Sequence, residues 1–190
     1  MISSEVKTVR WTIDDLEGFP DNGTRYEIID GELFMTRSPH LNHQDISGAI
    51  YTELRIWSKK TGLGKPFFCP GVIFSNSDNV IPDLVWISRE RLSQVLDESG
   101  HFTGAPELVI EILSKSEKDK KRDKETKLKL YSVQGVREYW IVDYQQREIE
   151  IYRRNQGSLE KAVTLFEQDT LTSPLLPDFQ CPLEVLWEDE

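Results

Sequence analysis

Tyr139-Trp140-Ile141-Val142, inside the run REYWIVD, leaves a strand no polar face to show to water. A strand of that kind must be covered on both sides, so the chain has to build a sheet with packed layers against it. Further apolar runs are VIPDLVWIS (80–88), ELVIEILS (107–114) and an interrupted one, PFFCPGVIF (66–74). RYEIID and ELFM flank Asp30-Gly31, a two-residue hairpin turn signal. From His43 to Lys59, Ile46, Ala49, Ile50, Leu54 and Trp57 recur at helical spacing, and Gly62 and Gly64 end the pattern. A basic helix is predicted from Glu117 to Val133, stopped by Gly135, and a short one around Glu90 to Leu96. Thr12 with Asp15 signals an earlier helix start, followed by the turn cluster Asp21-Asn22-Gly23. REIEIYRR alternates like an edge strand, a further strand lies around Ala162 to Phe166, and a proline-punctuated tail closes the chain. The order predicts an α/β (α+β) domain, a mixed central β-sheet flanked by helices. At 190 residues one domain is expected over 1–190, with a core of about 11–153 and a C-terminal extension, 154–190.

Thirty-three acidic against 23 basic side chains leave a formal charge of −10, which argues against a protein that coats nucleic acid nonspecifically. The average hides an asymmetry. Residues 115–129 carry eight Lys/Arg and four Asp/Glu, +4 in a chain otherwise at −14, so the basic patch could meet a polyanion locally. No apolar run approaches the roughly 20 residues needed to cross a bilayer. The start has no apolar stretch behind a basic one, so no signal peptide and a cytoplasmic chain are expected. Cys69 and Cys181 lie too far apart in sequence for a disulfide framework or a zinc site of their own and are expected as reduced thiols.

Two acids interrupt apolar strands, Asp83 in VIPDLVW and Glu111 in LVIEIL. Buried carboxylates are costly unless paired, protonated or bound to a cation. By alternation Asp83 shares a face with Val85, and Glu111 with Val109 and Leu113. On neighbouring strands the two would converge, and Mg²⁺, which commonly takes one or two carboxylates plus water and phosphate oxygens, is the natural partner. Pro82 points to a local irregularity beside Asp83. The plainer readings are a strand-end acid at 83 and a solvent-facing acid at 111. On the basic helix Asp123, Lys127 and Tyr131 stand at i, i+4 and i+8, along one face. Lys127 there is either an exposed ion-pair partner or a cation pointed at the acids. Glu32, just after the hairpin turn, is a third candidate acid or an exposed hairpin residue. His43, at a helix start, is expected to cap the helix or to stand at a pocket rim. With His40 it lacks a third nitrogen or thiolate for zinc.

Pro82-Asp83, a 27-residue gap to Glu111 and a nearby lysine resemble the PD-(D/E)XK nuclease superfamily. RYEIIDGEL, Ser38-Pro39 with His43 beyond it, VIPDLVWIS, APELVIEILSKS, Asp123-x3-Lys127-x3-Tyr131 and GVREYWIVD, in that order, are similar to the Uma-type family of restriction endonuclease-like proteins. The resemblance covers residues 11 to about 153. It implies a restriction endonuclease-like fold and Mg²⁺-dependent hydrolysis of DNA phosphodiesters, with Mn²⁺ as a substitute ion. It assigns Asp83 and Glu111 as metal ligands and Glu32 as the additional acid; in the reaction expected here the Ile112 carbonyl joins the two carboxylates on the ion. The position two residues after Glu111, where the superfamily pattern carries lysine, is Leu113. Lys127, from the following helix, takes the matching place. Its role would be to polarise the attacking water and to offset charge on the phosphate. His43, Asp123 and Tyr131 would support the site. Lys115, Lys118, Lys120, Lys121, Arg122 and Lys124 would contact DNA phosphates, which position a duplex without reading its sequence. Cleavage of both strands would suit a homodimer. The alternative is an inactive DNA-binding or protein-interaction module on the same fold, or a hydrolase of another phosphate ester. The apolar tail residues Leu171, Leu175, Leu176, Phe179, Leu186 and Trp187 could serve a dimer interface or the domain's own core.

Overall fold

The computed structural model describes residues 9–20 and 22–187. The opening residues read for a signal peptide, and Asp21 of the turn cluster, lie outside that range. A short helix α1 (Ile13–Leu16) precedes the hairpin β1 (Arg25–Ile29) and β2 (Glu32–Thr36). Asp30 and Gly31 between them both have positive φ, 48° and 70°, the backbone that a two-residue turn of this kind requires. The long helix α2 (Leu41–Thr61) leads to β3 (Gly64–Phe68), β4 (Val72–Ser75), β5 (Asp78–Val80), β6 (Leu84–Ser88) and helix α3 (Arg89–Val95). Then come β7 (Leu108–Ile112), α4 (Glu117–Lys121), a π-helical stretch (Arg122–Lys127), α5 (Leu128–Gln134) and β8 (Glu138–Asp143). The chain closes through β9 (Glu148–Asn155), β10 (Ser158–Phe166), β11 (Thr170–Ser173), β12 (Leu176–Pro182) and a 3-10 turn, Leu183–Leu186.

The mixed sheet has six strands in the order β10-β9-β8-β7-β6-β3. Only β7 and β8 run parallel. Parallel neighbours need a crossover, and the basic helix provides it. β8 is buried along its whole length, as its apolar run demands. A smaller sheet, β2-β1-β5-β4, forms a separate layer that the strand pattern alone does not announce. The chain leaves the large sheet after β3 and returns at β6. Pro82, which has no N–H to give a ladder, stands in the return segment between β5 and β6.

Alternation on the large sheet separates two cores. One face carries Leu84, Trp86, Ile110, Trp140 and Ile151, packed with Ile50, Leu54 and Trp57 of α2. The tail residues Leu171, Leu176, Phe179, Leu186 and Trp187 join the same cluster, so they close the chain's own core. The other face carries Val85, Ile87, Val109, Tyr139 and Ile141, packed with Leu130 and Tyr131 of the crossover helix and with Ile29 and Val80 of the small sheet. Among the described residues no helix is long and apolar enough to cross a membrane. Cys69 and Cys181 are free thiols.

Candidate active site

Val85 pairs with Val109 across antiparallel β6 and β7. Carrying that register one same-face step further sets Asp83 opposite Glu111. Both are buried, at 7% and 3% exposure. Asp83 N–H reaches Glu111 Oε2 at 3.4 Å. Asp83 Oδ2 accepts from the Ile112 N–H at 2.9 Å and lies 3.0 Å from His43 Nε2, the contact of an Nε2–H tautomer. Asp83 Oδ1 accepts from an Arg25 guanidinium N–H at 3.1 Å.

The crossover helix supplies the cation. Lys127 Nζ donates to Glu111 Oε1 at 2.8 Å and pairs with Glu27 Oε1 at 2.9 Å, with Asp123 Oδ1 at 3.9 Å. Tyr131 OH donates to the same Glu111 oxygen at 2.9 Å. The spacing of Asp123, Lys127 and Tyr131 holds that face inward. The sequence predicts a regular helix throughout, yet residues 122–127 form a π-helical stretch. Arg122, Asp123 and Lys127 are all buried in it. Arg122 pairs with Asp119 at 3.3 Å and Asp123 at 3.2 Å, donates to Thr36 Oγ1 at 3.2 Å and lies over the Phe34 ring.

These contacts set the protonation of the cluster. Burial alone would raise Asp83, but the bonds from His43 and Ile112 and the Lys127 charge outweigh it and hold the carboxyl below its ordinary range. Burial pushes Glu111 up to about 8, because Lys127 only partly offsets it and Asp83, Asp123 and Glu27 add like charge. Burial likewise lifts Asp123 to about 6 against Lys127 and Arg122. For Lys127 burial favours the neutral amine, yet Glu111, Glu27 and Asp123 keep it an ammonium well above the usual lysine value.

Glu32 does not join this group. It shares a face of β2 with Phe34 and Thr36, as alternation requires, but pairs with Ile29 at the turn end of the hairpin, where it is exposed. It lines a separate cleft of about 950 Å³ between the hairpin and α5. Glu27 of β1 occupies the place read for Glu32, 3% exposed and bonded to Lys127 and to the Ile81 N–H at 2.8 Å. The same signal marks it in the sequence, since Glu27 is also an acid inside an apolar strand. Arg25, two residues earlier on the same face, escapes sequence reasoning because an arginine at a strand start carries no signal.

The six cations assigned to DNA phosphates do not form one solvent-facing set. Lys115, Lys118 and Lys121 are exposed. Arg122 is buried in the site, Lys120 pairs with Asp143 at 3.5 Å, and Lys124 pairs with Glu150 at 3.2 Å. His43 is not the cap of α2; His40 is, its ring nitrogen accepting from the Asn42 N–H at 3.3 Å. His43 instead faces Asp83 and lines the cavity at the cluster, the pocket position expected of it.

A cavity of about 350 Å³ opens onto the cluster, lined by Arg25, Glu27, Asp83, Glu111, Ile112 and Lys127, with Arg37, His40 and Lys115 also contributing. Among the described residues no three His, Cys, Asp or Glu side chains are grouped as metal ligands would be. The donor set nonetheless suits a hard cation that needs only two carboxylates. Asp83 Oδ2 and Glu111 Oε1 are each tied by two strong donors, which leaves Asp83 Oδ1, touched by Arg25, and Glu111 Oε2, touched by one long N–H contact. Mg²⁺ fills its other positions with water and phosphate oxygens.

A family model described as "Uma2: Putative restriction endonuclease" matches residues 13–184. Among solved structures, one described as a "putative nuclease belonging to DUF820" from Anabaena variabilis superposes with a TM-score of 0.75. It is 19% identical, and the match covers 93% of this chain and 97% of that one. A search of curated proteins returned no match.

Proposed function

The chain belongs to the Uma2 restriction endonuclease family, and from that premise we propose that it hydrolyses phosphodiester bonds of DNA with the help of Mg²⁺, Mn²⁺ substituting. The observation that carries the reading is the pair Asp83 and Glu111, adjacent and buried beneath Lys127 at the floor of an open cavity. Asp83 Oδ1, Glu111 Oε2 and the Ile112 carbonyl would hold the cation. When bound, a divalent ion polarises a phosphoryl oxygen and lowers the pKa of a coordinated water. The chain's own residues do the rest. His43 and the Ile112 N–H fix the Asp83 rotamer, and Tyr131 with Lys127 fixes Glu111. Lys127, kept charged by its acids, is a preorganised positive charge for the attacking water and for the negative charge that grows on phosphate. Glu27, not Glu32, is the additional acid and orients Lys127. Exposed Lys115, Lys118 and Lys121 would contact the DNA backbone.

The test is cleavage of supercoiled and linear DNA, with Mn²⁺ uptake followed by the rise in melting temperature. The wild type should cut with Mg²⁺ or Mn²⁺ and not in EDTA. Asp83→Asn should lose both cutting and the Mn²⁺-induced rise. Absence of cutting together with absence of a Mn²⁺ effect in the wild type refutes the proposal. The engagement of Lys120, Arg122 and Lys124 by acids removes cations from DNA contact and favours a second reading, an inactive protein-interaction module, whose signature is that double absence together with no DNA binding at low salt.

A further inference from the structure

Three cations meet the acids of the site, and they are held very differently. Lys127 is 2% exposed and sits among three carboxylates. Arg122 is 8% exposed and commits its fork to Asp119, Asp123 and Thr36. Neither can leave without stranding charge. Arg25 is different. Its side chain is 27% exposed, it lines the cavity, and it has two contacts there. One is Asp83 Oδ1 at 3.1 Å and the other is Cys69 Sγ at 3.0 Å, a weak acceptor.

The carboxylate it touches is asymmetric. Oδ2 is tied to the Ile112 N–H, part of the β7 segment, and to His43 on α2. Both are built into rigid elements. Oδ1 is met by Arg25, on a flexible stem. A divalent cation arriving at Asp83 therefore meets the guanidinium at the oxygen it needs, and two cations on one oxygen repel. A guanidinium released there stands in the same cavity with a fork whose geometry matches a phosphate.

We propose that Arg25 is the exchangeable occupant of the metal position: it neutralises Asp83 while the divalent cation is away, and on loading turns its fork to the phosphate of the bound strand. This role rests on the metal-dependent nuclease reading above. It makes metal and phosphate binding cooperative, because phosphate draws Arg25 off the oxygen the metal takes.

Isothermal titration with Mn²⁺ alone, and then with thymidine 5′-monophosphate present, tests it without any turnover. Arg25→Met should bind Mn²⁺ about tenfold more tightly than the wild type, the factor that corresponds to removing one charge-assisted bond to a carboxylate oxygen. Arg25→Lys keeps a competing charge and should stay within about threefold of the wild type. The nucleotide should tighten Mn²⁺ binding severalfold in the wild type and by a smaller factor in Arg25→Met, where only direct ligation of the ion by phosphate remains. Equal or weaker Mn²⁺ binding by Arg25→Met overturns the exchange. So does a wild type in which nucleotide leaves Mn²⁺ affinity unchanged, a measurement that needs no variant to fold. A wild type that takes up no Mn²⁺ overturns the metal reading and the Arg25 role with it. Uptake by the wild type with no gain in Arg25→Met removes the Arg25 role alone.

Discussion

Lys127→Met keeps an apolar stem in the core and removes the ammonium that three carboxylates share. That ammonium stands 2.8 Å from Glu111, 2.9 Å from Glu27 and 3.9 Å from Asp123. Breaking a buried ion pair from one side costs about 3–5 kcal/mol, chiefly because the partner charge is stranded. Here the acids can shed that charge by taking protons. Glu111 already stands at about 8 and Asp123 at about 6 with the lysine in place, so both rise further without it. Their folded-state values then lie well above the unfolded ones of about 4. A group raised in this way contributes its stability below the unfolded pKa and loses it as pH rises through the folded pKa. The variant should therefore lie close to the wild type at about pH 5, fall behind as pH rises through the Asp123 value of about 6, and fall further above the Glu111 value of about 8, the deficit approaching the full 3–5 kcal/mol only beyond the raised Glu111 value. At about 2–4 °C per kcal/mol for a chain of this size, the melting temperature should lag by about 6–20 °C at the alkaline end. Thermal melts in EDTA at several pH values measure it directly. A variant that melts with the wild type at about pH 8.5, or one whose deficit is the same at about pH 5, would refute the view of Lys127 as the neutralising centre of a surplus of buried acid.

Glu27→Ala should cost about 1–3 kcal/mol by leaving the Ile81 N–H and one face of Lys127 without an acceptor, whereas Glu32→Ala should fall within about 0.5 kcal/mol of the wild type. Urea midpoints and cleavage rates of the pair check the assignment, and equal losses in both would undo it. Glu138 is held above the ordinary glutamate value by burial, which the bonds from Trp140 and Ser173 only partly offset. Its protonated form is the one the fold favours, so it withdraws stability as pH climbs from about 4.5 through its folded value. Glu138→Gln should flatten the melting temperature over that acidic window, and an unchanged slope would show that the carboxyl is already ionised without penalty.

Much of the fold is legible in the sequence because it rests on short-range regularities. The Asp30-Gly31 turn, the helical spacing from Ile46 to Trp57 and the doubly apolar strand at 139–142 each follow from local geometry and burial. Asp83, Glu111 and Lys127 are also legible, since a carboxylate inside an apolar strand needs a partner and a helix face four residues apart presents one. The three do meet, as the bonds of Glu111 with Asp83 and Lys127 record. What cannot be read is which further side chains surround them. Alternation puts Glu32 on the correct face of β2 but gives no distance along it, and the pairing of Ile29 with Glu32 and of Glu27 with Phe34 sends Glu32 to the turn and brings Glu27 inward. The cations of residues 118–124 share one helical run and one composition, yet only the packing of Lys120 against Asp143, of Lys124 against Glu150 and of Arg122 against Asp119 separates the engaged from the exposed.

By itself the chain determined its apolar strands, the Asp30-Gly31 turn and the need to compensate two buried acids, because periodicity and desolvation act on neighbouring residues, whereas β5, β11 and β12 lie in segments that read as turn and tail. The tertiary structure alone decided that the hairpin forms a second sheet, that Glu27 and Arg25 enter the site, and that Arg122 is buried against Asp119, Asp123 and Thr36. These outcomes depend on contacts between segments distant in sequence, such as Arg25 with Asp83, 58 residues apart. Such contacts follow from the summed packing of whole elements, which no local pattern encodes.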